Sequence, residues 1–213
     1  MSGKEVVVGE TVTVEFEGVR CIHSRHCVID RPDVFVPNVE GAWIHPENAS
    51  EAGMLEIAHN CPSGAIACHA NDGRAMEEAP IVNTVRIHEN GPLAFHGALS
   101  IADQADGFRR TLCRCGASRH KPYCDGSHHQ IGFQASGEPA TVDSEPLAVR
   151  NGPLGITPEH NGPLHVNGSV EILSGTGRTI IRTSETWLCR CGHSANKPFC
   201  DGSHTRVGFN SDG

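Results

Sequence analysis

The sequence of 213 residues has few aromatic side chains and no long apolar run. Phe, Trp and Tyr make up 5% of the chain, whereas there are 24 glycines and 13 prolines. No apolar stretch approaches the roughly 20 residues that a membrane-spanning helix needs. The first ten residues lack the basic and apolar segments of a signal peptide. We therefore expect a cytoplasmic protein with no membrane association, built from small, loop-rich domains with modest cores.

Positive charge and the usual enzyme motifs are also lacking. The formal net charge is −8 and the pI is near 5.9, so a broad nucleic-acid-binding surface is not expected. The sequence contains no phosphate-binding loop, no dinucleotide fingerprint and no Ser-His-Asp grouping. We expect a protein that is not an enzyme and does not bind nucleic acid.

The sequence is instead rich in cysteine, and most of the cysteines lie in one segment that occurs twice. Residues 113–128 read CRCGASRHKPYCDGSH, and residues 189–204 read CRCGHSANKPFCDGSH. Both copies follow C-x-C-x8-C-x3-H, and they are 76 residues apart. Such dense identity at a fixed offset indicates an internal repeat. Ten cysteines in a chain without an export signal indicate metal ligands rather than disulfides.

Each copy offers three thiolates and one imidazole, a donor set that suits zinc or a small iron–sulfur cluster. Structural zinc sites usually have two to four residues between paired cysteines, whereas here there is one. The third cysteine and the histidine are four residues apart, so we expect them on one face of a helical turn. Two separate donor pairs favour a two-iron cluster and leave zinc open.

An aspartate and a glycine follow the third cysteine in both copies. Asp125 and Asp201 can accept hydrogen bonds from the free amides at the start of the expected helical turn. Gly126 and Gly202 let the backbone approach a metal group closely. These features predict a compact loop around each donor set.

The repeated segment resembles the CDGSH iron–sulfur family, whose signature C-x-C-x2-S/T-x3-P-x-C-D-G-S-H is complete in both copies. The resemblance implies one 2Fe–2S cluster per copy. It implies that the first two cysteines hold the inner iron, and that the third cysteine and the histidine hold the outer iron. The implied ligands are Cys113, Cys115, Cys124 and His128 in the first copy, and Cys189, Cys191, Cys200 and His204 in the second.

A second pattern lies near the N-terminus, where Cys21 and Cys27 are spaced C-x5-C and Cys61 opens the segment CPSGA. This pattern resembles the divergent single-cluster ferredoxin-like domains found beside CDGSH modules in bacteria. The resemblance implies a cluster held by these three cysteines, because Ser24 stands where a ferredoxin has its middle cysteine. Three thiolates suffice for a 3Fe–4S cluster. A 4Fe–4S cluster would need a fourth ligand, such as Ser24, His23 or water.

The first domain is expected over residues 1–78, with a ferredoxin-like α+β fold. The alternation over residues 4–16 predicts a β-hairpin. Ser50 predicts the start of a helix over 51–60, with Ala52, Leu55 and Ala58 on one face. A short strand follows at 65–68. We expect the tenth cysteine, Cys68, to be a small buried apolar residue rather than a ligand.

The second domain is expected over residues 79–213, as a mainly β tandem CDGSH domain with copies at about 81–133 and 147–209. Strands are predicted at 82–88 and 94–101, around an NGPL turn that recurs before the second copy. One copy alone buries little apolar surface, and single-motif relatives dimerise through interlocked strands. We therefore expect a monomer with an internal pseudo-twofold axis and a shared β-sandwich.

These observations lead to one expected function and two alternatives. We expect a soluble carrier of single electrons, with two 2Fe–2S clusters, one 3Fe–4S or 4Fe–4S cluster and an unidentified redox or cluster-acceptor protein as partner. The first alternative is a cluster donor or a redox or pH sensor, because histidine is the ligand most easily protonated near neutral pH. The second is a structural zinc-binding interaction module, against which the lack of a basic patch argues.

Overall fold

A computed structural model describes residues 3–211 of the chain. The chain divides into two compact units, Met1–Glu78 and Ala79–Gly213. None of the helices between residues 3 and 211 combines the length and the apolar character needed to cross a membrane.

The first unit is a small α+β domain with a three-stranded antiparallel sheet in the order β1-β2-β3. Its elements are β1 Lys4–Val8, β2 Val12–Glu17, α1 His26–Asp30, α2 Glu51–Asn60 and β3 Ile66–Ala70, with short 3-10 turns at Gly18–Arg20 and Pro46–Asn48. The predicted hairpin is confirmed, because β1 and β2 pair from Lys4–Glu17 to Val8–Thr13. The predicted return strand is also confirmed and runs two residues further.

Helix α2 begins where the sequence predicts, since the Ser50 hydroxyl accepts a hydrogen bond from the amide of Gly53 at 3.2 Å. Its buried face only partly coincides with the apolar face that the sequence suggests. Met54, Ile57 and Ala58 are buried in the core of the first unit, whereas Ala52 is exposed. The larger side chains Met54 and Ile57 therefore determine which face packs, because they bury more apolar surface than Ala52 would.

The second unit is mainly β and contains two very short helices. Its strands are β4 Thr84–Ile87, β5 Leu93–His96, β6 Ala98–Ile101, β7 Gln104–Ala105, β8 Arg109–Leu112, β9 Pro153–Pro158, β10 Leu164–Leu173 and β11 Thr179–Leu188; its helices are α3 Ser127–Gln130 and α4 Ser203–Arg206. They form an eight-stranded sheet in the order β7-β6-β9-β10-β4-β5-β8, with β11 also paired to β10. One apolar core lies among these strands and includes Phe95, Leu154 and Ile172.

The two copies of the repeat exchange strands within this sheet. Strand β6 of the first copy pairs in parallel with β9 of the second, from Ala98–Pro153 to Ile101–Ile156. In return, the end of β10 in the second copy pairs in parallel with β4 of the first, from Glu171–Thr84 to Leu173–Arg86. Each copy therefore completes its backbone hydrogen bonding with a strand of the other.

One predicted strand is interrupted. Residues 94–101 were expected to be continuous, but the chain breaks at Gly97, and β5 and β6 lie on either side of it. A Cβ atom at Gly97 would lie 2.7 Å from the Asn83 side-chain oxygen, so no larger residue fits here without displacing Asn83. The break lets β5 pair with β4 and β6 pair with β9.

Candidate metal centres

The first repeated loop brings its two leading cysteines together directly after β8. The sulfurs of Cys113 and Cys115 are 3.7 Å apart, and both residues are buried. The loop is folded back on itself by two backbone hydrogen bonds. The amide of Cys113 donates to Pro122 at 2.8 Å, and the amide of Cys124 donates to Thr111 at 2.9 Å. The distant third cysteine is thereby fixed close to the strand that carries the first pair.

The second donor pair of this loop consists of Cys124 and His128, with 3.4 Å between Sγ and Nδ1. The helix begins only at Ser127, so the expectation that one helical turn carries both donors is wrong. Gly126 breaks the turn with φ of +82°, a left-handed conformation that glycine adopts without steric cost. The predicted role of Asp125 is confirmed, because its carboxylate accepts from the amide of Ser127 at 3.0 Å.

The second loop repeats this arrangement. The sulfurs of Cys189 and Cys191 are 3.8 Å apart, and Cys200 Sγ lies 3.4 Å from Nδ1 of His204. The carboxylate of Asp201 accepts from the first amide of α4 at 2.9 Å, as Asp125 does in the first loop. All eight predicted donors therefore lie in four close pairs, two in each copy.

A buried serine fixes each loop from inside. The hydroxyl of Ser118 donates to the carbonyl of Tyr123 at 2.6 Å and accepts from the amide of His120 at 3.1 Å. Ser194 makes the equivalent bonds, to Phe199 at 2.6 Å and from Asn196 at 3.0 Å. Because both serines are 2% exposed, these bonds replace water that cannot reach the loop.

Burial opposes the ionisation of several of these thiols. The hydrogen bond with Cys115 lowers the pKa of Cys113 to about 6, and the same contact raises the pKa of Cys115. Burial raises the pKa of Cys124 to about 12 and that of Cys191 to about 11. Iron would offset the effect of burial, because metal binding requires and stabilises the thiolate form. The donor sets therefore fit an iron–sulfur cluster.

The two copies differ in how deeply the second donor pair is buried. Cys124 and His128 are 3% and 5% exposed, and the His129 ring lies tilted against His128 at a centroid distance of 4.0 Å. Cys200 and His204 are only half-buried. Solvent and partner molecules consequently have easier access to the second copy.

The three cysteines predicted to hold a cluster in the first unit line one small cavity. Cys21, Cys27 and Cys61 share this cavity with Ser24, the residue at the position of the missing ferredoxin cysteine. Burial raises the pKa of Cys21 and of Cys27, and a negative charge on Cys61 raises both further. The three sulfurs are therefore close enough to repel one another as thiolates, which positively charged iron would relieve.

His23 and Ser63 contact sulfurs of this cavity, whereas Cys68 is not among its lining residues. The backbone amide of His23 donates to Cys21 Sγ at 3.4 Å, and its Nδ1 is 3.9 Å from that sulfur. Ser63 is buried with its hydroxyl 3.6 Å from Cys61 Sγ, a contact that the sequence did not suggest. Cys68 is 4% exposed and packs in the apolar core, so its predicted role as a buried apolar residue is confirmed.

Within residues 3–211, no three Cys, His, Asp or Glu side chains converge as they would around a single metal ion. The donors of the second unit instead form separate pairs, such as Cys113–Cys115 and Cys124–His128. Separate pairs are the arrangement that a cluster of several irons can bridge.

Comparison with protein families identifies both kinds of site. The family described as iron-binding zinc finger CDGSH type matches residues 90–129 and 161–205. The family described as divergent 4Fe-4S mono-cluster matches residues 7–71. The chain is a tandem CDGSH protein with an N-terminal iron–sulfur domain. Among curated proteins, none matches the chain.

The resemblances inferred from the sequence are thus confirmed, and this tandem CDGSH protein is an iron–sulfur protein. The sequence alone did not point to Arg114 and Arg190, which lie between the paired cysteines and are fully buried. It also did not point to Gly116 and Gly192, which follow those cysteines. The available signal was the identical C-R-C-G segment in both copies.

Proposed function

We propose that the chain carries single electrons through two 2Fe–2S clusters in the second unit and one further cluster in the first. The observation that supports this proposal is the division of each repeated donor set into two close pairs, one of two sulfurs and one of sulfur and imidazole. A bound 2Fe–2S cluster accepts and releases one electron at a time. A cluster of two irons requires two such pairs, whereas one zinc ion requires four donors around one point.

In this proposal the buried cysteine pairs hold the inner irons, and the cysteine–histidine pairs hold the outer irons. A neutral imidazole contributes less negative charge than a thiolate, so it makes reduction easier. The potentials should lie between about −400 mV for all-cysteine plant-type clusters and the higher values of two-histidine clusters. His128 and His204 thereby set the working range of the two sites.

The cluster of the first unit is proposed to bind Cys21, Cys27 and Cys61. The family description favours a 4Fe–4S cluster, and Ser24, which lines the same cavity, is then the candidate fourth ligand. A 3Fe–4S cluster needs only the three thiolates and is the form that the ligand count alone predicts. The number of irons distinguishes the two forms.

The close approach of the two repeated loops supports electron exchange between the clusters of the second unit. A Cβ atom built on Gly116 would lie 2.5 Å from the carbonyl oxygen of Cys191, so the backbones that carry the two inner cysteine pairs are in direct contact. The strand exchange described above supports a further proposal. We infer that the chain is a monomer in which each copy supplies the interface of the other, and that it acts on a redox partner protein rather than as an enzyme.

Donation of a cluster to an acceptor protein is the second candidate function. It is favoured by the half-buried state of Cys200 and His204, because an incoming thiol reaches the outer pair of the second copy more easily than that of the first. A carrier keeps its clusters during turnover, whereas a donor loses one to an acceptor. A pH sensor would use the same accessible histidine.

Iron and sulfide analysis of anaerobically purified protein, together with EPR, tests the proposal. We expect about seven irons per chain with a three-iron first cluster, or about eight with a four-iron one. An oxidised 3Fe–4S cluster gives an EPR signal, whereas an oxidised 4Fe–4S cluster is usually silent. About four irons would contradict the cluster of the first unit. A colourless protein that contains zinc would contradict the proposal as a whole.

Incubation with an iron-free acceptor protein separates the two candidate functions. A carrier should keep its visible absorption through repeated cycles of reduction and oxidation in the presence of the acceptor. A donor should transfer iron and sulfide to the acceptor within the same period. Light scattering measures the mass of the protein in solution and so tests the proposed monomer. A dimer at every concentration would contradict it.

A further inference from the structure

Two arginines of the second unit are fully buried at the centre of the metal-binding loops. Arg114 lies between Cys113 and Cys115, and Arg190 lies between Cys189 and Cys191. Their exposed fractions are 1% and 0%, and they are among the largest fully buried side chains of the residues described. Arginine keeps its positive charge at all physiological pH values, so each loop has a permanent cation in its interior.

Neither guanidinium group is paired with a carboxylate in the described part of the chain. Arg114 donates four hydrogen bonds, all to backbone carbonyls, which belong to Gly91, Ser136, His88 and Ala135 at 2.6–3.2 Å. Arg190 donates to the carbonyls of Gly162, at 3.0 Å, and Glu159. Among residues 3–211, Nη1 of Arg190 is buried and has no hydrogen-bond partner. Carbonyl dipoles orient the side chains, and the nearest carboxylates, Glu89 for Arg114 and Glu159 for Arg190, act on them only from beyond salt-bridge distance.

A buried positive charge without a negative partner is costly, because it has lost its hydration and gained no counter-ion. The cost is removed if a negative group is bound nearby. A cluster held by three thiolates and a neutral imidazole has a net negative charge, and that charge grows by one on reduction. The two arginines therefore have the position and the sign expected of counter-charges to the clusters.

The arginines also lie close to the opposite copy of the repeat. The ring of Phe209 is contacted by Arg190 at 5.4 Å and by Lys121 of the first loop at 5.8 Å, measured to the ring centroid. Residues next to the arginines are in direct backbone contact, since Gly192 meets the carbonyl of Cys115 as Gly116 meets that of Cys191. The segments that carry the two interior cations therefore meet at this junction.

Thiolate charge acts across this junction in both directions. Burial lowers the pKa of Arg114 to about 10, and the Cys189 thiolate of the second copy counteracts that effect. Burial also lowers the pKa of Arg190, and the Cys113 thiolate of the first copy counteracts it. In each case a cysteine of the opposite copy is the negative neighbour with the largest effect.

We propose that Arg114 and Arg190 are built-in counter-charges for the clusters, each acting mainly on the cluster of the opposite copy and making its reduction more favourable. This inference rests on the proposed 2Fe–2S ligand sets. The unpartnered N–H of Arg190 is additionally available to donate to sulfur, and hydrogen bonds to sulfur raise the potential of a cluster.

The experiment needs the two clusters to be distinguishable. In a His204→Cys background, the second copy's cluster has only thiolate ligands and a lower potential, so the higher-potential wave of a redox titration reports the first copy's cluster. In this background we expect Arg190→Met to lower the equilibrium constant for reduction of the first copy's cluster about tenfold, equivalent to about 59 mV for one electron. We expect Arg114→Met to change that wave less than threefold.

The mirror experiment uses a His128→Cys background, in which the higher-potential wave reports the second copy's cluster. There Arg114→Met should lower that wave more than Arg190→Met does. Arg119→Met is the matched control in both backgrounds, because Arg119 lies in the first loop but is exposed, so solvent screens its charge. Arg190→Lys keeps the charge and should stay within about threefold of the parent.

Several results would overturn the proposal. One is a loaded Arg190→Met protein in which neither wave moves or only the second copy's wave moves. Another is an Arg190→Lys protein that shifts as far as Arg190→Met. If the neutral variants do not load iron, Arg190→Lys decides, and its failure to load both clusters also contradicts the proposal. Absence of iron and sulfide from the unmodified protein would instead overturn the proposed function and this inference with it.

Discussion

Gly116 lies so close to Cys191 that a Cβ atom on the glycine would be 2.5 Å from the cysteine carbonyl oxygen. The reciprocal distance, from Gly192 to the carbonyl of Cys115, is 2.6 Å. Both glycines also have positive φ, +80° and +84°. The junction between the two metal-binding loops therefore admits only glycine, for reasons of space and of backbone conformation.

Replacement of Gly116 by alanine should destabilise the second unit and its clusters. The left-handed backbone alone costs about 1–2 kcal/mol for alanine, and the contact with Cys191 should add about 1–3 kcal/mol. Gly132→Ala is the matched control, because Gly132 also has positive φ (+60°) but open space around it. Urea unfolding of both variants measures the difference. Equal losses of stability would mean that the loops can separate without cost.

Replacement of Ser118 by alanine should loosen the first loop. The change leaves the buried carbonyl of Tyr123 and the amide of His120 without their partner, at a cost of about 1–3 kcal/mol. We expect faster loss of visible absorption in the presence of an iron chelator. Ser184→Ala, at an exposed position of β11, should change the free energy of unfolding by no more than about 0.5 kcal/mol. It should therefore lose absorption as slowly as the unmodified protein. Identical rates for the two variants would contradict the structural role of Ser118.

Replacement of Cys68 should leave the first unit's cluster intact, whereas replacement of Cys61 should abolish it. Cys68 packs in the core with its thiol 3.4 Å from the carbonyl of Met54, and Cys61 lines the cavity with the other two predicted ligands. We expect full iron content for Cys68→Ala and a loss of about three or four irons per chain for Cys61→Ala. Iron loss in the first variant alone would require a different ligand set.

Acid should release the second copy's iron before the first copy's. Burial, followed by the charge of His129, lowers the pKa of His128. A lowered pKa keeps the imidazole neutral, and therefore able to bind iron, down to a lower pH. His204 is half-buried, so solvent reaches its ring more easily than that of His128. The absorbance of the two histidine-ligated clusters should decay in two phases after a jump from pH 8 to about 5.

The substitutions that assign those phases are His204→Cys and His128→Cys. The first should remove the fast phase, because a cysteine ligand replaces the accessible imidazole. The second should remove the slow phase only. A fast phase that persists in the His204→Cys protein would show that another group controls the release of iron.

Local chemistry explains what could be predicted from the sequence. The close pairing of the eight candidate donors was predictable because their spacing is set by the loop itself. Ser50 predicted the start of α2 because a cap bonds within three residues. The face of α2 was not predictable from periodicity, since Met54 and Ile57 were as well spaced as Ala52 and Leu55. Packing against the sheet decided between the two faces.

Features that depend on distant residues could not be predicted. The burial of Arg114 rests on carbonyls of His88 and Gly91, more than 20 residues earlier in the chain. The break at Gly97 depends on Asn83 and on the parallel pairing of β6 with β9, which begins more than 50 residues later. An arginine between two cysteines looks like a solvated surface residue until that surrounding structure is known.

The exchange of strands between the copies constrains how the protein is made. When residue 128 leaves the ribosome, the first loop has all of its donors, but β4 still lacks the partner that β10 provides near residue 172. At about 5–20 residues per second, the missing strand follows some seconds later. Iron delivered during that interval would meet an open, incompletely paired loop. We therefore expect productive metal insertion only after the second copy has been translated. The order of synthesis would then affect whether the protein matures correctly.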